Sequence, residues 1–318
     1  MKTIDLRPHS FEKFIGQDKL KQTLLAMIQS SKVQNKPLDH ILFYGMPGMG
    51  KTTLATIIAN QKGSKIHFVQ GTNIEKKADL ISVLSVVNEN DIVFIDEIHS
   101  INKNVVEFLY AAMEDFVFDL IIGVDGNSRP IRMKLKPFTL IGATTKFNEI
   151  SQPLKDRFGY IGRLVNYTLK DISKILKITC SKLNLNLDDE LIKYIASYSR
   201  NTPRLANHLI YRVLDFALSS EKGEITKQII KKTFKYLDLY EYGLTKDHIE
   251  YLQILKDGFE EKSVSLDTIV GLTLHNKYDI VNEIEPILLL LKLVQKTSRG
   301  RKITSLGIDY LLRQNLSI

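Results

Sequence analysis

The chain has 318 residues, 44 Lys+Arg against 36 Asp+Glu for a net charge of +8, and 44% hydrophobic residues. That length exceeds one ordinary domain and that composition is globular, which excludes a disordered chain or a small disulfide scaffold. The lone Cys180 can form no internal disulfide, an apolar run such as 287–291 is far short of the ~20 residues of a membrane helix, and no apolar stretch follows the N-terminal charges; the reading is a cytoplasmic protein with no membrane partner.

Strands are predicted at 40–44, 65–69, 91–95 and 138–142, with helices such as 51–61 and 104–113 between them. Apolar runs alternating with helical periodicity are the βαβ pattern of a parallel sheet. From residue 169 the strand signals fade, and 171–183, 189–199, 203–219 and 226–237 read as four amphipathic helices. From about Gly243 come two short helices, a longer one over 278–291, and two strands, 293–296 and 302–305, around a Ser-Arg-Gly turn. That order suits a winged helix. The expected domains are an α/β unit over 1–168, an all-α unit over 169–242 and a winged helix over 243–318.

Charge is unevenly spread: net +3 over 1–159, +5 over 160–242 and zero over 243–318. The last segment nevertheless holds Lys296, Arg299, Arg301 and Lys302, four cations in seven residues with no acid among them. Such a cluster at a wing suits contact with DNA phosphates. Of the 44 cations only 11 are Arg. Each of these is worth questioning, because an ammonium cannot replace the planar guanidinium fork.

The run from Gly45 to Thr52 (Gly-Met-Pro-Gly-Met-Gly-Lys-Thr) follows an apolar strand and opens a helix, fitting the phosphate-binding loop G-x-x-x-x-G-K-[ST]. Backbone N–H groups freed by Gly48 and Gly50 would curl round a polyphosphate. Lys51 would reach the β- and γ-phosphates of ATP, and the Thr52 hydroxyl would ligate Mg²⁺. Downstream, Ile92-Val-Phe-Ile-Asp-Glu ends an apolar strand in two carboxylates. Asp96 suits the Mg²⁺ shell and Glu97 the base that polarises the attacking water. Thr144 and Thr145 end a third strand within reach of the γ-phosphate. Arg157 reads either as an arginine finger toward a neighbouring subunit or as a surface pair with Asp156. Arg204, at a helix start after Pro203, reads as a second γ-phosphate sensor or a solvated cation.

Leu6-Arg7-Pro8, Phe14-Ile-Gly-Gln17, Leu38-Asp-His40, the phosphate loop, Phe94-Ile-Asp-Glu-Ile-His99, Ala112-Met-Glu-Asp-Phe116, Pro137 to Thr145 and Asp156-Arg-Phe-Gly159 resemble the RuvB family, AAA+ motors of Holliday-junction branch migration. The resemblance implies an AAA+ P-loop domain, an all-α lid and a C-terminal winged helix. It implies that Leu6, Arg7 and Tyr167 line the base and ribose, that Gly48, Lys51, Thr52 and Thr53 hold phosphates, and that Glu114, Asp115 and Phe116 lie near the nucleotide. It makes Thr145 the first sensor, Arg157 a finger acting in trans and Arg204 the second sensor. Homo-hexameric rings around duplex DNA are implied, docked on RuvA at four-way junctions through the 116–135 hairpin, with Leu120, Ile121 and Ile122 as its apolar tip. A junction resolvase is a further partner the resemblance allows. The other reading of the same motifs is a nucleotide-switched DNA-binding or clamp-loading factor. Asn201, His208, Lys292, Lys296 and Ser298 depart from the family's usual residues.

Overall fold

The computed structural model describes residues 5–122, 129–220, 223–257 and 262–314. The chain divides into two compact units, one of residues 1–183 with 202–204, the other of 184–201 with 205–318.

The first unit opens with helix α1 (Asp18–Val33), then strand β1 (Ile41–Tyr44), α2 (Lys51–Lys62), β2 (Ile66–Gln70), α3 (Lys77–Ser85) and β3 (Ile92–Asp96). It continues through α4 (Lys103–Glu114), the hairpin strands β4 (Val117–Ile122) and β5 (Arg129–Lys134), β6 (Thr139–Thr144), α5 (Gln152–Lys155), β7 (Tyr160–Arg163) and α6 (Leu169–Lys182). Five strands form a parallel sheet in the order β2-β3-β6-β1-β7. The three middle strands are buried along nearly their whole length, whereas β2 at the edge alternates half-buried and exposed positions. Continuous apolar runs such as Ile-Leu-Phe and Ile-Val-Phe-Ile are what a strand covered on both faces requires. Leu42, Val93, Ile95, Leu109, Phe118, Phe138 and Leu140 form the core on one side of this sheet.

All four predicted strands are present, each within two residues of its expected bounds. The edge strand β7 was not among them. Its Tyr-Ile-Gly-Arg sequence carries no run of apolar residues, and Gly162 interrupts it. A Cβ at that glycine would lie 2.7 Å from Leu20 Cδ1 of α1, so packing sets the residue, not strand propensity.

In the second unit, α7 (Asp189–Ser197), the body of α8 (Pro203–Leu218) and α9 (Lys227–Tyr236) are followed by a two-residue ribbon, β8 (Leu239–Tyr240) and β9 (Leu244–Thr245). Then come α10 (Lys246–Asp257), α11 (Leu266–Leu272), α12 (Lys277–Asp279), a π-helical turn over Ile280–Ile284, α13 (Glu285–Leu290), the wing strands β10 (Val294–Thr297) and β11 (Gly300–Ile303), and α14 (Ser305–Arg313). Side-chain caps open most of these helices: Asp188 for α7, Thr226 for α9, Ser265 for α11 and Thr304 for α14. The helix expected over 278–291 is present, α12, the π-helical turn and α13 forming one continuous helical stretch over 277–290; it departs from α geometry before Pro286, which has no N–H and whose ring displaces the carbonyl four residues back. The π-helical turn absorbs that displacement and leaves Glu285 at the first position of α13. Leu252, Leu255, Ile269, Ile280, Leu288 and Tyr310 form this unit's core.

Two buried histidines couple stability to pH. The Leu140 N–H donates to His40 Nδ1 at 2.8 Å, so Nε2 carries the proton and donates to the Met113 carbonyl at 2.9 Å. Burial pushes His40 below the ordinary imidazole range. Burial, with Arg200 nearby, pushes His248 from 6.5 down to about 4. An unfolded chain protonates both near pH 6.5, whereas the folded protein resists, so their stabilisation is complete above that pH and is lost as pH falls below it, for His248 through the 6.5–4 window. For His248 the full loss is about 3 kcal/mol. The thermal midpoint therefore drops between pH 7.5 and 5, and His248→Gln flattens the profile; a wild-type midpoint constant over that range contradicts the assignment.

Candidate functional site

Strand order places the site. Because β6 lies between β1 and β3, the segments leaving their carboxyl ends sit side by side, spanning about 10 Å at ordinary strand spacing. They are the phosphate loop after β1, Thr144-Thr145 on β6, and Asp96-Glu97 on β3. Ligands of open α/β sheets bind at this edge.

The loop's conformation requires its glycines. Gly48 has φ of +77° and Gly50, which precedes α2, has φ of +103°; these are left-handed values that side chains resist. Space forbids a side chain as well, since a Cβ at Gly48 would lie 2.7 Å from Arg204 Cβ. This contact brings the first turn of α8 against the loop, within the first unit. A cation in the first turn of a helix opposes the helix dipole, so the placement of Arg204 suits an anion beside it. Lys51 is buried and donates to the carbonyls of Gly45 (2.8 Å) and Met46 (3.2 Å). Burial pushes its ammonium below the usual range against the pull of Glu97 and Asp96, while Arg204 adds to the depression. A buried ammonium near two carboxylates and a guanidinium is poised for a polyanion. Thr52 and Thr53 are half-buried at the start of α2.

The Glu97 carboxylate is the most constrained group here. Its Oε2 accepts from the Thr145 backbone N–H and from Thr145 Oγ1, both at 3.0 Å, and lies 3.1 Å from His99 Nδ1. His99 Nδ1 is also 3.0 Å from Thr144 Oγ1, which accepts from the Lys146 N–H. Glu97 has φ of +47°, and its N–H donates to Asp96 Oδ1 at 3.0 Å. Thr145, the first-sensor candidate, and Glu97, the general-base candidate, are thus in direct contact.

Tyr167 is buried, with its ring 3.1 Å from where a Cβ on Gly16 would sit, and its hydroxyl donates to the Met49 carbonyl at 3.1 Å. It fixes the loop from the segment leading into α6. Leu6 is half-buried and Arg7 exposed. Their segment is tied down by Lys182 of α6, which donates to the Asp5 carbonyl, and by Asn60 of α2, which donates to the His9 carbonyl.

Arg157 occupies a prepared seat. Its NH1 donates to the Pro153 carbonyl (2.7 Å), its Nε and NH2 pair with the Glu114 carboxylate (both 3.3 Å), and the guanidinium carbon lies 4.1 Å over the Tyr110 ring. Glu114 is therefore joined to the finger candidate. Asp115 ends α4 and is exposed, and Phe116 packs edge-on against His40 and Phe138. The alternative reading of Arg157, a surface pair with Asp156, is not what the structure has, since Asp156 instead accepts from Gln152 and Arg157 pairs with Glu114.

The hairpin β4–β5 is present, with Val117 opposite Lys134 and Ile122 opposite Arg129. Asp119 and Arg132 pair bidentately across it at 2.7 and 2.9 Å. Leu120 is half-buried against the core, opposite the exposed Ile131. The side chains of Ile121 and Ile122, and the 123–128 turn, lie outside the described residues.

In the wing, Arg299 stands exposed in the turn and Lys302 is half-buried on β11. Lys296 and Arg301 are direct cross-strand partners, and both reach one buried carboxylate, Glu285, at 2.9 and 2.6 Å. Sequence reading treated the four cations alike and missed Glu285, one acid among ten in its segment with no motif around it. Tyr110 was missed for the same reason.

A five-stranded parallel sheet with its phosphate loop on β1, flanked by β6 and β7, is the arrangement of an AAA+ P-loop ATPase, and the winged helix at the far end of the chain makes it one that works on DNA. Known proteins narrow the class. Residues 6–164 match the family model described as the Holliday junction DNA helicase RuvB P-loop domain, 167–240 the RuvB AAA lid domain and 241–312 the RuvB C-terminal winged helix domain. The Holliday junction branch migration complex subunit RuvB of Mycoplasmopsis synoviae is 66% identical over 310 residues, 98% of either chain. Its counterpart from Pseudothermotoga lettingae is 40% identical over 97% of this chain and 90% of its own. The solved Thermotoga maritima RuvB Holliday junction branch migration motor superposes with a TM-score of 0.82 at 34% identity, covering 96% of this chain and 98% of that one. The chain belongs to the RuvB family of Holliday junction helicases. Three RuvB models spanning nearly the whole chain leave the clamp-loader reading without support.

Proposed function

We propose that this chain hydrolyses ATP at the interfaces of a homo-hexameric ring and uses the cycle to drive duplex DNA through it, migrating four-way junctions while docked on RuvA. The observation that carries this is the contact of Glu97 with Thr145 on adjacent strands beside a phosphate loop, in a chain that ends in a winged helix. In the proposed organisation residues 1–168 are the ATPase domain, 169–242 the lid and 243–318 the DNA-binding domain. Gly48, Gly50, Lys51, Thr52 and Thr53 cradle the phosphates, with Leu6, Arg7 and Tyr167 on the base side and Glu114, Asp115 and Phe116 near the nucleotide. The hydroxyl of Thr52 and the carboxylate of Asp96 are hard oxygen donors of the kind Mg²⁺ takes, and the ion would neutralise charge developing on the β- and γ-oxygens. Glu97 accepts a proton from the attacking water, Thr145 orients Glu97, and Arg157 and Arg204 meet the γ-phosphate from the neighbouring and the same subunit.

RuvA docking is assigned to the β4–β5 hairpin through Leu120, Ile121 and Ile122, and DNA contact to the wing cations Lys296, Arg299, Arg301 and Lys302. The protein works in the cytoplasm, where the DNA is. The single free cysteine, and the lack of any helix among the described residues long and apolar enough to cross a membrane, fit that setting. A resolvase would act on the junction the ring has moved.

The test is branch migration of a synthetic four-way junction with and without the cognate RuvA. Strand products are expected only with ATP, at a rate raised at least about 10-fold by RuvA, and none from Glu97→Gln. ATP-dependent DNA binding without any strand product would sink the motor reading.

A further inference from the structure

Glu285 is completely buried. A lone carboxylate at such a position is strongly unfavourable, and a hydrophobic residue of equal volume would often be at least as stable there. Three hydrogen bonds and an ion pair show what it holds instead. Oε1 accepts from Arg301 Nε at 2.6 Å and from the Tyr251 hydroxyl at 2.9 Å, and Oε2 from Lys296 Nζ at 2.9 Å and Arg301 NH2 at 3.3 Å. Burial alone would raise its pKa, but the hydrogen bonds from Arg301, Lys296 and Tyr251 outweigh that and hold it below the usual carboxylate range. The residue is a charged anchor at physiological pH.

Its location gives the anchor a direction. Glu285 belongs to the helical body of the unit, directly after the π-helical turn. Lys296 and Arg301 belong to the wing, one on each strand and directly opposite one another. One carboxylate therefore ties both strands of the hairpin to the body. A second tie runs along β11, where Arg301 and Val264 exchange backbone hydrogen bonds at 2.7 and 2.8 Å. This approach is close enough that a Cβ at Gly300 would fall 2.0 Å from the Val264 carbonyl oxygen. Of the two, Lys296 faces outward and Arg301 lies mostly covered, with 16% of its side chain exposed. The Lys296 side chain is 47% exposed, and a guanidinium with Nε and one NH2 engaged keeps donors to spare.

We propose that Glu285 is a positioning residue for DNA: it holds Lys296 and Arg301 in a fixed spacing on the wing, so that the pair meets the duplex backbone already ordered. This rests on the reading of the wing as the DNA contact. Two long cationic side chains held in place lose less freedom on meeting phosphates than two free ones. Arg299 in the turn and Lys302 on β11 make no tie to Glu285 and act as independent cations.

The experiment is duplex binding by the full chain, followed by fluorescence anisotropy across a salt series, in wild type, Glu285→Asp, Tyr251→Phe, Lys296→Ala, the Glu285→Asp/Lys296→Ala double variant and a triple variant of Lys296, Arg299 and Lys302 to Ala. Glu285→Asp keeps the charge but shortens the reach, so affinity is expected to fall about 10-fold and the slope of log K against log salt to flatten by about 1 per subunit, the signature of a lost phosphate contact. Tyr251→Phe, which removes only a hydroxyl, is expected to lose about 2- to 3-fold in the same direction, and it carries the test if Glu285→Asp does not fold. The double variant should be less than additive, because both changes disturb one contact. If the triple variant binds as wild type, the wing reading itself fails. If the triple variant binds weakly while Glu285→Asp and Tyr251→Phe keep wild-type affinity and slope, the wing reading stands and the positioning role is overturned. Tighter binding with a steeper slope in Glu285→Asp also overturns it, since Glu285 would then be withholding the cations from DNA.

Discussion

Glu97→Gln is expected to bind ATP as tightly as the wild-type protein and to turn it over at least about 100-fold more slowly, the lower end of what a positioned general base contributes. The geometry separates the two effects. Glu97 makes no phosphate-loop hydrogen bond of its own; its Oε2 is occupied by the N–H and hydroxyl of Thr145 and approached by His99. A glutamine carbonyl oxygen accepts the same two hydrogen bonds from Thr145, so the strand ends stay in place. It cannot take a proton from water. Binding of a fluorescent ATP analogue and steady-state phosphate release measure the two quantities separately. A kcat within a few-fold of wild type would remove Glu97 from the base role. Lys51→Ala provides the contrast, because its ammonium is buried beside the loop carbonyls and its loss should appear in affinity first.

The readable and unreadable parts of this chain divide along one physical line. Segments whose residues act through the backbone or through continuous burial were legible: β1, β3 and β6 are apolar because both faces are covered, and Gly48 and Gly50 are glycine because φ is positive. Asp96, Glu97 and Lys51 could be singled out because each stands at a fixed offset from such a segment, whereas Thr145 was singled out through the family resemblance. Features that depend on a long-range contact were not. The strand β7 is specified by its fit against α1 at Gly162. The helix over 278–291 was legible from its apolar spacing, but the π-helical turn that Pro286 imposes within it was not. Glu285 could not be read at all, since nothing local separates it from the neighbouring Glu283 or indicates that an acid eleven residues before Lys296 is buried beneath it. The net charge of +8 was similarly mute: in the wing, which of four cations is tied and which is free depends on strand register, and register is set by pairing.

Arg157→Ala is expected to abolish turnover in a uniform ring, by about 10³- to 10⁵-fold, equivalent to about 4–7 kcal/mol of barrier. The more discriminating result comes from mixing. Within its own chain Arg157 is engaged by Glu114, by the Pro153 carbonyl and by the face of Tyr110, a seat that fixes its aim without using the local phosphate loop. If the guanidinium serves a neighbour, an Arg157→Ala subunit still carries an intact nucleotide site and a Lys51→Ala subunit still carries an intact finger. Each variant alone should be inactive, and rings assembled from both should regain turnover wherever the Lys51→Ala subunit offers its finger to the Arg157→Ala site. A finger acting within its own chain predicts no recovery at any mixing ratio, because no subunit would then hold both groups. The seat makes a further demand on the same measurement. Tyr110→Phe keeps the ring under the guanidinium and loses only the contact of its hydroxyl with Ser151, so it should stay within about 3-fold of wild type, whereas Tyr110→Ala removes the stacking face and should lose about 10-fold. Equal losses in the two tyrosine variants would mean that the hydroxyl contact with Ser151, and not the ring, holds the finger in place.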